Sequence, residues 1–344
     1  MARSRFIYHL LALAVVAVWG VTFVCTKELI RAGLQPAEIF AIRFTLAYAG
    51  IWVISLIPGV SSVAGHAAPT SPGSSASAGS PAPSFAGSDR RILWSRTWQD
   101  ELMFVFLGIS GGSFYFLTEN TALANTQASN VAFLVCIAPL LTALLTVVYR
   151  RVRKDRFAAA MESVGRSWML IGGTVLALTG MAMMLFDGAR LQVSLRGDLL
   201  ALAAALCWAF YSLFMGKMTE EYGALFATRK VFIYGLLTII PFLLDGDGFP
   251  LEPLRQPAVI GNLLFLGLVA SLACFVAWNL VMSKLGNITA TNYVYLNPVF
   301  TLVSAMILLG ERLTPAGAIG SALILLGVIV AGQTGRHPSR KEQA

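Results

Sequence analysis

Few residues in this sequence can do ionic chemistry inside apolar surroundings. Glu119 interrupts the apolar stretch Leu102–Leu123, Arg43 interrupts Ile39–Ile57, Lys27 follows the end of Ile7–Cys25, and Arg229 lies near the start of Ala224–Leu244. A charge on an apolar helix is costly to bury, so it faces a partner or a wet cavity. Counted along their stretches, Glu119, Arg43 and Lys27 fall in the same half of the molecule. Glu119 is therefore expected to pair with Arg43 or Lys27 and to line a cavity, where a carboxylate could carry a proton or receive a substrate amine. A purely structural ion pair pinning three helices would use the same residues. Arg43 and Arg229 also suit anchors whose long stems reach toward a polar surface.

Uncharged groups add to this set. Asn292, Tyr293 and Asn297 give the stretch Ile288–Leu309 a polar side, and they are the first candidates for substrate contact. Pro298 follows directly, and Pro139 lies in the stretch Ala128–Tyr149. A proline inside a helix has no N–H for the carbonyl four residues earlier, so Val135 and Val294 are each expected to carry a freed carbonyl at a hinge. Trp19 and Trp208 fall mid-stretch, away from the interfacial belt where tryptophan collects. They suit packing or a cavity wall, with Tyr211 close to Trp208. The chain has no HExxH, nucleophile elbow, phosphate loop or CxxC, so neither an enzyme nor a cofactor or metal is expected.

The elements that must position these residues come in two copies. Shifted by 159 positions, Gly108–Pro139 overlies Gly267–Pro298 without a gap, matching Phe116 to Phe275, Asn120 to Asn279 and Pro139 to Pro298. Trp19 corresponds to Trp208, Arg43 to Arg229, and Gly173 and Gly180 to Gly320 and Gly327. A period this long marks a duplicated multi-helix unit. Glu119 corresponds to Trp278, and Ala138 to Asn297, so the candidate polar groups are not shared by both copies.

The solvent for these elements is lipid. The chain is 57% hydrophobic and only 12% charged across 344 residues, against about 25% charged in soluble proteins. Ten stretches have the length of a membrane helix: Ile7–Cys25, Ile39–Ile57, Leu102–Leu123, Ala128–Tyr149, Ser167–Phe186, Leu199–Met215, Ala224–Leu244, Ile260–Met282, Ile288–Leu309 and Pro315–Gln333. The expected fold is an all-α polytopic membrane protein, a first five-helix repeat over 1–186 and a second over 187–335. A low-complexity cytoplasmic linker at 59–98 and a cytoplasmic tail at 336–344 complete it. Placing both termini inside puts sixteen Lys and Arg residues on the inner loops and six on the outer ones, in keeping with the positive-inside rule. The net charge of +8 then faces anionic lipid and not nucleic acid. Five helices per repeat means that the second copy crosses the membrane in the opposite sense. This arrangement of inverted repeats suits alternating access to a central site.

Trp19-Gly20 with Thr22, Phe23 and Lys27, the run Ala37–Phe44, the run Thr121–Leu145 and above all Gly310–Val330 resemble the drug/metabolite transporter superfamily, in particular its EamA-type ten-helix members. The likeness covers nearly the whole chain except the linker, which departs from the usual short loop. The resemblance implies two EamA repeats around a cavity, orienting, headgroup or gate contacts for Arg43 and Arg229, a small-molecule substrate, often an amino acid, and export across a bacterial inner membrane. Protons, lipid and a second copy of the chain are further candidate partners. A drug or nucleotide-sugar carrier of the same superfamily is the alternative, although several cavity cations would suit a nucleotide sugar and the spans offer few. A non-transporting sensor or intramembrane enzyme is the alternative of another class.

Overall fold

Long runs of Leu, Ile, Val, Ala and Phe bury their backbone polar groups most economically as helices, because a helix satisfies its own N–H and C=O groups. The computed structural model describes residues 2–56, 93–126, 128–152, 164–185, 194–244, 252–309 and 315–332, and among these it contains helices and no strands. The helices are α1 (Ala2–Arg31), α2 (Pro36–Leu56), α3 (Trp98–Gly108), α4 (Phe114–Asn125), α5 (Ala128–Val135), α6 (Ala138–Val152), α7 (Val164–Leu185), α8 (Leu195–Tyr222), α9 (Ala224–Leu244), α10 (Pro257–Leu264), α11 (Cys274–Leu285), α12 (Asn287–Thr291), α13 (Asn297–Leu309) and α14 (Pro315–Gly332). Six helical units are long and apolar enough to cross a membrane: Phe6–Arg31, Pro36–Ser55, Trp98–Asn125, Leu195–Tyr222, Ala224–Leu244 and Pro257–Leu285. Among the described residues the protein is all-helical, and its helix lengths and composition are those of a multi-pass membrane protein.

Several helices run past the apolar stretches that announce them. Unit Trp98–Asn125 begins at Trp98, inside the expected linker, because Thr97 caps it by accepting from the Asp100 N–H. Asp100 and Glu101 in its first turn complement the positive end of the helix dipole. Of the rest of that linker, residues 59–92 lie outside the described residues, as does the tail at 336–344.

Two kinds of irregularity recur at matched places. Between α3 and α4 the chain passes through a π-helical segment, Ile109–Ser113, kinked at Gly112. Its counterpart, Phe265–Ala273, joins α10 to α11. The fourth and ninth apolar stretches are broken before their prolines. Cys136 and Ile137 separate α5 from α6, and the 3-10 segment Asn292–Leu296 separates α12 from α13. Neither Pro139 nor Pro298 can donate to the carbonyl four residues back. The Val294 carbonyl accepts from the Asn297 N–H and also from the Cys136 thiol at 3.4 Å, so the two breaks touch each other.

Packing follows the duplication. Helix α1 lies along α13 and α11, while its counterpart α8 lies along α6 and α4. Helix α2 crosses the second π segment, and its counterpart α9 crosses the first. In the latter crossing the glycines matter, since a Cβ on Gly112 would stand 3.3 Å from the Gly235 Cα. The counterparts α7 and α14 pack on each other. Gly180 approaches Gly320, and Gly327 approaches Gly173, so the two helices run antiparallel with their small residues facing.

Candidate functional site

The elements converge on one cavity. It encloses about 430 Å³ of empty space, part of it open to solvent, and is lined by Trp19, Thr22, Phe23, Arg43, Tyr115, Phe116, Glu119, Val135, Trp208, Phe275, Val294 and Asn297. Both copies contribute to the wall, and both proline breaks reach it through Val135 and Val294.

Its two charges are held separately. Glu119 on α4 is buried, and its Oε1 accepts from the Tyr115 hydroxyl at 2.6 Å. Tyr115 lies four residues earlier and thus on the same helix face. Arg43 on α2 is 2% exposed. Its Nε donates to the Ser271 hydroxyl at 2.9 Å, and its guanidinium stands 4.5 Å from the centroid of the Phe116 ring. The cation and the anion lie within each other's field, yet the ion pairs within 4 Å among the described residues do not include Arg43 with Glu119.

Aromatic rings make up much of the rest of the wall. Trp19 and Trp208 meet edge to face with ring centroids 5.3 Å apart, and Trp278 lies 5.0 Å from Trp19. The Trp19 indole donates to the Ala270 carbonyl of the π segment at 3.0 Å. The Trp208 indole N–H, equally buried from solvent, has no partner among the described residues. Asn297 opens α13 at the wall, and its Oδ1 is likewise unpartnered there.

Other residues singled out in the sequence lie outside this wall. Lys27 does not reach Glu119. Its ammonium donates to the carbonyls of Leu123 and Thr126, neutralising the end of α4 where carbonyls run out of intrahelical partners. Tyr211 packs against Trp208 at a tilt, ring centroids 5.2 Å apart, and donates to Asn279, which in turn donates to Thr228 at 2.7 Å. Tyr293 hydrogen-bonds His9 at 2.7 Å, tying α1 to the break before α13. Asn292 is 2% exposed and lies off the cavity wall, with neither amide atom partnered among the described residues. Arg229 lies between the rings of Trp52, at 4.9 Å, and Phe226, at 5.2 Å. Pro139 is buried and Pro298 half-buried, each at the first turn of the helix that resumes after its break.

Tyr115 lines the site, and Ser271 and Cys136 support it, but none of the three was singled out as a site residue in the sequence. Tyr115 could have been found from its spacing to Glu119. Ser271 is 228 positions from Arg43, and only the fold brings the two together. A second polar cluster was missed as well. Glu101 is buried and accepts from Lys230, from the Tyr234 hydroxyl and from the Ser95 N–H. It joins the start of α3 to α9, far from Glu119 at the other end of the same helical unit.

A multi-pass helical bundle with a polar, aromatic-walled cavity between duplicated halves has the architecture of a membrane transporter. The model of the EamA-like transporter family matches residues 6–186 and again residues 195–333. The chain belongs to the EamA-like transporter family. It is 26% identical over 329 residues to a probable amino-acid metabolite efflux pump of Escherichia coli (strain K12), covering 93% of each chain. It is 23% identical over 316 residues to an uncharacterized transporter of Archaeoglobus fulgidus, covering 92% of this chain and 95% of that one. A probable terminal-alkyne amino-acid exporter of Streptantibioticus cattleyicolor is 26% identical over 247 residues, or 72% of this chain and 77% of the relative. A solved crystal structure shares the fold with a TM-score of 0.64 at 18% identity, over 96% of this chain and 99% of that one.

Proposed function

We propose that the protein is a secondary transporter that exports a small organic metabolite, such as an amino acid, by alternating access. One observation carries the reading. Arg43 and Glu119, of opposite charge, line the same aromatic-walled cavity and do not consume each other in a contact ion pair. In a low-dielectric site such a pair attracts a ligand that bears both charges, and leaves room for it. The wall carries one cation and one anion, which disfavours a nucleotide sugar. Names of relatives that include amino-acid export lend weight to the same class.

Alternating access rests on an inverted duplication of ten membrane crossings in a bacterial inner membrane, both termini in the cytoplasm. The antiparallel packing of α7 on α14 supports the inversion. So do the directions of the contacts between copies. Glu101–Lys230 and Ser113–Thr238 follow one another in parallel along the unit Trp98–Asn125 and α9, while Asp100–Tyr222 and Tyr115–Trp208 run antiparallel along that unit and α8. Glu119 is the group to carry a coupling proton, and the two proline breaks are the hinges. Purified protein in liposomes loaded with a labelled metabolite mixture tests the proposal. Efflux of amino acids above protein-free vesicles, faster with an opposing pH gradient, is the expected result. No flux of any metabolite in either condition overturns it.

A further inference from the structure

Arg229, the counterpart of Arg43, lies beside Trp52 and Phe226. Arg43 gives its Nε to Ser271, a fully buried residue in the second π segment. The matching position in the first π segment is Gly112, which has no hydroxyl to offer. This clamp has a stereochemical consequence. A guanidinium receives a carboxylate either along the edge bearing Nε or end-on through its two terminal nitrogens. Here Nε is taken, and one face lies over the Phe116 ring. The terminal nitrogens donate to no protein group among the described residues, on a side chain that lines the cavity. The carboxylate nearest to hand, Glu119, is engaged by Tyr115 and forms no contact pair with Arg43.

We infer that Arg43, set by Ser271 and Phe116, is a subsite for the carboxylate of the cargo, and that Ser271 is the positioning residue that makes a carboxylate a requirement. The inference rests on the transport reading of this cavity and narrows it to a zwitterion. The cargo's ammonium group falls toward Glu119 and the unpartnered Oδ1 of Asn297. An apolar side chain falls against Trp19, Trp208 and Phe275. No covalent step is involved, and specificity comes from the loss a ligand suffers when it leaves a buried fork unpaired.

The experiment compares matched probes that differ only in the carboxylate: leucine with 3-methylbutylamine, phenylalanine with 2-phenylethylamine, and alanine with ethylamine. Binding to purified full-length protein is followed by fluorescence of the cavity tryptophans, and flux is followed in liposomes. Wild type is expected to favour at least one amino acid over its amine by tenfold or more. Ser271→Ala should lower affinity for that amino acid by roughly tenfold, as for a lost hydrogen bond to a charged group, and leave the amine unchanged. Ser271→Thr, which keeps the hydroxyl, should restore the preference, and Arg43→Lys, which has no fork, should abolish it. A wild-type preference that survives both Ser271→Ala and Arg43→Lys overturns the subsite while the transport reading stands. Amines preferred by wild type also overturn it. Failure of wild type to bind or move any of the amino acids sinks the amino-acid reading of the cavity and the subsite with it.

Discussion

Breaking the ion pair between Glu101 and Lys230 should destabilise the protein by an amount that a second substitution largely recovers. Both side chains are nearly inaccessible, at 5% and 6% exposure. Removing one partner of a buried pair leaves an uncompensated charge, at about 3–5 kcal/mol. The neighbours reduce this unequally. Lys230→Met leaves the Glu101 carboxylate with the Tyr234 hydroxyl and the Ser95 N–H. Two such hydrogen bonds to a charged acceptor hold the loss to about 2 kcal/mol. Glu101→Met leaves the ammonium only the rings of Trp94, Tyr234 and Phe226, at 5.1, 5.4 and 5.8 Å. Those weak contacts leave a loss of about 3 kcal/mol. The double variant has no unpaired charge and should fall within about 2 kcal/mol of wild type, for a coupling energy of about 3 kcal/mol. Equilibrium unfolding of the four purified proteins in one detergent measures the cycle. Single variants within about 0.5 kcal/mol of wild type and simple additivity would show that the pair is solvated, contrary to its burial.

Glu119→Gln keeps an acceptor for the Tyr115 hydroxyl but cannot ionise. Residual flux in liposomes should therefore lose its response to a pH gradient, and an unchanged response at every gradient removes Glu119 as proton carrier. Gly180→Leu should loosen the seam between α7 and α14, because even a Cβ there stands 2.8 Å from the Leu323 Cβ and 2.9 Å from the Ile324 N. Overpacking of this kind costs about 1–3 kcal/mol, visible as a lower unfolding midpoint, whereas Gly172→Leu, with nothing within 4 Å of its Cβ position, should behave as wild type.

Much of the fold was legible because its causes are local. Apolar runs mark helices, and prolines at matched positions mark breaks, and both show in the sequence. Helix ends were less legible. Glu101 lies one residue before the stretch Leu102–Leu123, outside every expected helix, yet Thr97 starts the helix earlier and Lys230 draws the carboxylate inside. The π segments were hidden for another reason. An extra residue in a helical turn leaves no compositional signature in Phe265–Ala273, although the glycines of Ile109–Ser113 hint at the first one. In the cavity, the residue types Glu119, Arg43, Trp19, Trp208 and Asn297 stood out, since polar or bulky groups are rare mid-membrane. Their partners did not. Lys27 has the charge to meet Glu119 but lies level with the end of α4, where bare carbonyls compete for it. Ser271 and Cys136 are ordinary small residues until the crossing of α2 with the second π segment, and the meeting of the two breaks, give each a partner.

The central claim is that one cavity between the two halves opens to each side of the membrane in turn. Asn297 lines it and lies next to the proposed hinge at Pro298. Asn297→Cys can be introduced after Cys25, Cys136, Cys207 and Cys274 are replaced, and treated in liposomes with a charged, membrane-impermeant thiol reagent from either side. Alternating access predicts labelling from both sides, slowed on both by a bound amino acid. Labelling from one side only, under every gradient and ligand condition, would contradict the account.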